Sequence, residues 1–121
     1  MSNQSPVGDL GAVLSHQLFR ALGDPTRVRL VDLLAERCRA CSVSELAECL
    51  EVDLSVVSRH LALLRAAGVL RATKTGRTVL YEIQFDALAE VLRGIADALD
   101  RARDDFQNAS SCTPPSEGTT P

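Results

Sequence analysis

No apolar run in the 121-residue sequence approaches the roughly 18 to 20 residues of a membrane span, so no transmembrane helix is expected. The opening residues, MSNQSPVGDLGAV, lack the basic start and apolar centre of a signal peptide. A cytoplasmic location is therefore expected, with reduced thiols at the four cysteines rather than a disulfide framework. There is no Gly-rich phosphate loop, no His-bearing metal motif, no nucleophile–base pairing and no internal repeat, so the sequence does not read as an enzyme. Cys38 and Cys41 form a CxxC, but helical patterns surround it, and a thiol oxidoreductase would want a βαβ setting. The most informative absence is of acid. Between Leu54 and Tyr81 there is no Asp or Glu, while Arg59, Arg65, Arg71, Lys74 and Arg77 all fall there. The rest of the chain carries eight basic residues against sixteen acidic ones, and the net charge is −3. Attraction of a polyanion depends on the local field over a few Debye lengths, so an acidic chain can still present one cationic face.

What is present fits one domain with a modest core, of ordinary soluble composition: 45% apolar and 24% charged. Residues 1–12 are polar and are expected to be flexible; the folded domain is expected over 13–104, and a flexible Ser/Thr/Pro-rich tail carrying Cys112 over 105–121. Leu14, Leu18 and Leu22 have helical spacing, and Gly23 ends that helix. Asp24-Pro25 opens the next, with Asp as N-cap and Pro at the first helical position. Ser42-Val-Ser-Glu45 matches a capping box and predicts a short helix to about Leu50. After the turn Glu51–Asp53, Asp53 is expected to cap a helix from Leu54 to about Ala67, stopped by Gly68. Leu54, Val57, Leu61 and Leu64 are its expected buried stripe; Ser55, Ser58, Arg59 and Ala62 face the other way. The period then changes to alternation, predicting strands VLRATK and TVLYEI joined by Thr75-Gly76-Arg77. A last helix runs from Phe85 to roughly Asp104, with Leu88, Val91, Leu92, Ile95 and Leu99 on one stripe.

A short capped helix, a three-residue turn and a longer capped helix make a helix-turn-helix, and the basic hairpin after it makes a wing. The expected fold is therefore mainly α with a β-hairpin wing. Small side chains on the second helix let its axis sit deep in a DNA major groove. Ser55, Ser58, Arg59 and His60 are candidates for base or phosphate contact, and Arg65 for DNA contact; Thr73, Lys74 and Arg77 are candidates for flanking backbone or minor groove. The alternative is an ordinary α+β domain, or a winged helix that binds protein.

The segments ALGDPTRVRLVDLL and SVSELAECLEVDLSVVSRHLALLRAAGVLRATKTGRTVLYEI resemble the ArsR/SmtB family of bacterial metal-responsive repressors, over roughly Leu14 to Leu99. The resemblance implies a homodimer built on the first and last helices. It implies a palindromic operator in double-stranded DNA, read by two recognition helices about one turn, ~34 Å, apart. It also implies an inducer that releases the DNA.

The inducer site is less constrained. Some family members carry a CxC pair at the start of the short helix; here Ser42, Val43 and Ser44 stand there. Others bind zinc with Asp, His and Glu of the last helix; here that helix has no histidine, and Asp86, Glu90, Asp97 and Asp100 read as a solvated face. Some arsenic-sensing relatives place one cysteine near Cys38 and complete the set from a chain terminus. By chemistry, two thiolates three residues apart at a helix end can address one soft ion, and Arg37 and Arg39 would lower their pKa. Cys112 can supply a third sulfur. Three sulfurs suit As(III) or Hg(II), and Cd(II) and Pb(II) also accept them; zinc would want a fourth ligand. The alternatives are a structural Cys38/Cys41 pair, switching by thiol oxidation or persulfide, or no metal at all. Cys49 reads as a small buried hydrophobe and His16 as a dimer or surface residue.

Overall fold

The computed structural model describes residues 16–112. The sequence expectations for residues 1–12, for Leu14 and for the tail from residue 113 lie outside the described residues. The elements run α1 (His16–Leu22), α2 (Pro25–Arg37), β1 (Cys41–Ser42), α3 (Val43–Leu50), α4 (Leu54–Ala66), β2 (Leu70–Thr75), β3 (Thr78–Ile83) and α5 (Phe85–Cys112). Ser15–Ala89 is one compact unit, and residues from Glu90 onward belong to another. Among the described residues, no helix is long and apolar enough to cross a membrane.

Helix boundaries follow the capping chemistry. Asp24 accepts from the backbone N–H groups of Thr26 (2.9 Å) and Arg27 (3.2 Å), satisfying two donors that the helix itself leaves open. Ser42 and Glu45 close the expected capping box: Ser42 Oγ accepts from Glu45 N at 3.2 Å, and Ser42 N donates to Glu45 Oε1 at 2.9 Å. Asp53 departs from expectation. It occupies the N-cap position of α4, but its side chain makes no capping bond; only its carbonyl accepts, from Val56 and Val57. Gly68, at φ 83°, ends the α4 segment as expected and turns the chain into β2.

The capping box carries a pH signature. Arg39 pairs with the Glu45 carboxylate at 2.6 Å, and Ser42 N–H donates to it as well; together they hold the Glu45 pKa down at about 2, against an ordinary 4.5. The folded state thus binds fewer protons than the unfolded one. The stability Glu45 contributes is complete above about pH 4.5 and is lost as pH falls toward 2. Both side chains are exposed, so salt screens the effect. A Glu45→Gln variant is expected to show a flatter stability profile on the acid side, measured as urea midpoint against pH at low salt.

The sheet order is β1–β3–β2, all antiparallel. The hairpin register runs from Leu70↔Ile83 to Thr75↔Thr78, leaving a two-residue loop, Gly76–Arg77, one residue shorter than the sequence suggested. Gly76 at φ 65° takes the first loop position, where an L side chain would be strained. β1 was not anticipated from sequence. Its two residues pair Cys41↔Tyr81 and Ser42↔Leu80, which makes β3 the middle strand.

Leu18, Leu30, Leu34, Leu46, Val57, Leu61, Leu64, Val69, Leu70 and Ile83 form one core with Cys41. The stripe on α4 is buried at Val57, Leu61 and Leu64, but Leu54 is 53% exposed. Leu54 heads the helix at the margin of that stripe. The last helix also differs from expectation, continuing past Asp104 to Cys112. No Gly or Pro stands between Gly94 and Pro114, so backbone chemistry offers no earlier stop.

Candidate nucleic-acid interface and cysteine positions

The turn between α3 and α4 is set by Glu51, a non-glycine residue at φ 57°, whose backbone N–H and that of Val52 return to Ala47 O. With Leu46, Ala47, Val57, Leu61 and Leu64 buried, α4 turns its other side to solvent. Ser55, Ser58, Arg59 and Ala62 are all exposed there, and Arg65 lies in its last turn. On the hairpin, Thr73, Lys74 and Arg77 are exposed as well. Arg59, Arg65, Lys74 and Arg77 make no ion pair among the described residues, whereas Arg71 pairs with Glu82 directly across the hairpin at 3.0 Å. Four of the five cations in the acid-free stretch are therefore available to an anion, and one is spent on the sheet. A Gln84 amide donates to Gly68 O and Leu70 O, and Gln84 N donates to Val69 O, tying the end of β3 to the start of β2.

His60 sits differently from the other candidates. It is half-buried, and its Nδ1 lies 3.1 Å from Arg27 Nη1. Nothing in the sequence signals this contact, because the two residues are far apart in the chain.

The three described cysteines occupy three environments. Cys38 is exposed and follows α2 in a left-handed conformation, φ 59°. Cys41 is fully buried, because pairing with Tyr81 puts its side chain on the same sheet face as Tyr81 and Ile83, which is the core face. The structure thus does not bring Cys38 and Cys41 into one environment. Among the described residues no group of three His, Cys, Asp or Glu is placed to hold a metal ion, and the side chain of Cys112 lies outside them. The expected lowering of the Cys41 pKa is also corrected. Burial pushes that thiol up, and the nearby Arg39 only partly offsets it. Cys49 is corrected too: it is exposed, with Arg37 Nη2 donating to its Sγ at 2.6 Å. On α3 it falls well off the face defined by Leu46, Ala47 and Leu50, so helical periodicity alone could have placed it outward.

The family description "Bacterial regulatory protein, arsR family" matches residues 24–72. Over 97 residues the chain is 35% identical to the arsenic resistance transcriptional regulator ArsR1 of Pseudomonas putida, covering 77% of this chain and 75% of that protein. This chain belongs to the arsR family. An HTH-type transcriptional repressor SmtB of Mycobacterium tuberculosis is 39% identical over 89 residues; the match covers 74% of this chain but only 62% of that relative, less than two thirds of its length. Among solved structures, an ArsR-like transcriptional regulator from Rhodococcus sp. RHA1 is similar with TM-score 0.64 at 27% identity, covering 84% of this chain and 92% of that one. The relatives of this arsR-family chain are transcriptional regulators and not enzymes, in line with the sequence. The winged fold expected from sequence is the fold observed.

Cys38, like Glu51, is a non-glycine residue in the left-handed conformation. The left-handed conformation favours Gly or Asn, and a β-carbon there costs of order 1 kcal/mol. Cys38→Gly is accordingly expected to raise stability by about 0.5–1 kcal/mol, read as an upward shift of the urea midpoint with unchanged slope.

Proposed function

We propose that this chain is a homodimeric, cytoplasmic DNA-binding transcriptional repressor whose inducer is a thiophilic metal or metalloid ion. The observation that carries the DNA reading is the set of unpaired cations and small polar side chains spread over α4 and the β2–β3 hairpin. Ser55, Ser58 and Arg59 enter the major groove, where a bidentate arginine favours a guanine edge. His60 and Arg65 donate to phosphates beside them. Thr73, Lys74 and Arg77 carry the wing onto the flanking backbone. Phe19 on α1 and Val91, Leu92 and Leu99 on α5 are each 40–52% exposed, and a second copy would cover such surfaces. Two-fold pairing then matches a palindromic operator.

For the inducer we propose As(III) or Hg(II), with Cd(II) or Pb(II) as further soft ions, on Cys38, Cys41 and Cys112. The exposure and strained backbone of Cys38 support this, as does the likeness to a regulator named for arsenic resistance. Cys41 can join such a set only if β1 leaves β3. That strand is two residues long, and its second residue, Ser42, is the N-cap of α3. Drawing out Cys41 would therefore loosen the start of the helix-turn-helix directly. A second reading rests on Cys49: an exposed thiol against a guanidinium is open to oxidation or persulfide formation.

The test is a gel shift on an operator selected from a random duplex pool, with and without As(III) or Hg(II), for wild type, Cys38→Ser, Cys41→Ser and Cys49→Ser. Release by the ion in wild type and Cys49→Ser, with none in Cys38→Ser and Cys41→Ser, is the expected pattern. Release by persulfide alone, lost only in Cys49→Ser, would establish the redox reading instead.

A further inference from the structure

Arg27 leaves the first turn of α2 and ends among three acceptors on two other helices. Its Nε donates to Ala21 O at 2.7 Å and its Nη2 to Arg20 O at 3.1 Å. Both carbonyls belong to the last turn of α1; Arg20 O also accepts from Gly23 N at 3.2 Å. Its Nη1 meets His60 Nδ1 on α4 at 3.1 Å. A guanidinium has donors only, so Nδ1 is the acceptor. As a hydrogen bond, that contact selects the imidazole tautomer with its proton on Nε2. That Nε2–H has no partner among the described residues. The ring is half-buried, next in sequence to Arg59 on the recognition helix.

We infer that Arg27 is a positioning residue for DNA binding: by holding His60 Nδ1 it fixes the ring's tautomer and rotamer, so that Nε2–H is a ready donor to a DNA phosphate. The inference rests on the DNA-binding reading and adds to it a residue that touches no nucleic acid. Chemistry favours arginine for the role. One planar fork reaches three acceptors in different directions, whereas a lysine ammonium is a compact point charge that would forfeit at least one of them. The same fork joins α1 to α4, and Gln17 Nε2 donating to Ala66 O at 3.2 Å is a second tie between them. Pre-setting the ring matters because an exposed histidine samples two tautomers and several rotamers, and ordering it on contact with DNA would cost binding energy.

The chain has two histidines, His16 and His60, so long-range 1H–15N spectra are simple, and His16→Gln assigns them. In free wild-type protein near neutral pH, His60 is expected as the Nε2–H tautomer; in Arg27→Met the second tautomer appears. Binding to a selected operator should weaken about 5- to 30-fold in His60→Phe, equally in Arg27→Met, and no further in the double variant, as a single shared interaction requires. A purely structural Arg27 would instead add its own loss to that of His60→Phe in the double variant. Should Arg27→Met fail to fold, the wild-type spectrum and His60→Phe still decide. A wild-type His60 protonated on Nδ1, or His60→Phe binding DNA like wild type, overturns this inference alone. Failure of wild type to bind any duplex at low salt overturns the DNA reading and this inference together.

Discussion

An Arg59→Ala variant is expected to bind a selected operator roughly 5- to 150-fold more weakly than wild type, with an unchanged melting temperature. Arg59 is exposed on α4 and free of ion pairs, so its removal disturbs no packing. The range corresponds to about 1–3 kcal/mol, the discrimination that a bidentate arginine gives against the wrong base. Fluorescence anisotropy at several salt concentrations reads the effect. A base contact should lower affinity for the selected site far more than for random duplex. Lys74→Ala and Arg77→Ala should instead weaken both alike, each reducing the salt slope by about 1. An Arg59→Ala protein as tight as wild type on the selected site would remove α4 from the major groove.

Leu61→Ala should destabilise the fold by about 2–5 kcal/mol, the cost of deleting a fully buried leucine and leaving a partly collapsed cavity. For a domain of this size that corresponds to a melting temperature lower by roughly 10–30 °C. Marginal domains hold only about 5–15 kcal/mol in total, so part of the population should be unfolded at physiological temperature. Leu63, two positions along and 47% exposed, serves as the control: Leu63→Ala should leave the urea midpoint within experimental scatter of wild type. Equal losses at the two positions would mean that α4 is rotated about its axis relative to the structure.

Much of the fold was legible in the sequence because it rests on local chemistry. Asp24-Pro25, the Ser42/Glu45 box and Gly68 act within a few residues of themselves, and the change from helical to alternating period at Gly68 is a property of the chain alone. The exposed face of α4 followed from the same periodicity. What the sequence left open depends on partners distant in the chain. The burial of Cys41 is decided by its register against Tyr81, and no pattern in RCRACS announces a two-residue strand. The engagement of His60 needs Arg27 on another helix. Leu54 read as core from spacing, yet spacing cannot tell a stripe's middle from its margin. The missing side-chain cap at Asp53 is a matter of rotamer, since residue type and position both satisfied the rule. Candidate ligand sets for a soft ion are the extreme case, because three sulfurs from three segments are joined only by tertiary structure.

The short pairing of β1 with β3 also bears on how the protein behaves when no DNA is present. A free hairpin offers two rows of unsatisfied backbone amides and carbonyls, each a template for another molecule's strand. Here β1 covers part of one row, and among the described residues the flank that stays open is β2, which carries Lys74 beside the Arg71–Glu82 pair. Like charges on approaching copies repel, so Lys74 and the nearby Arg77, offered to nucleic acid, also discourage ribbon-to-ribbon aggregation during storage at high concentration.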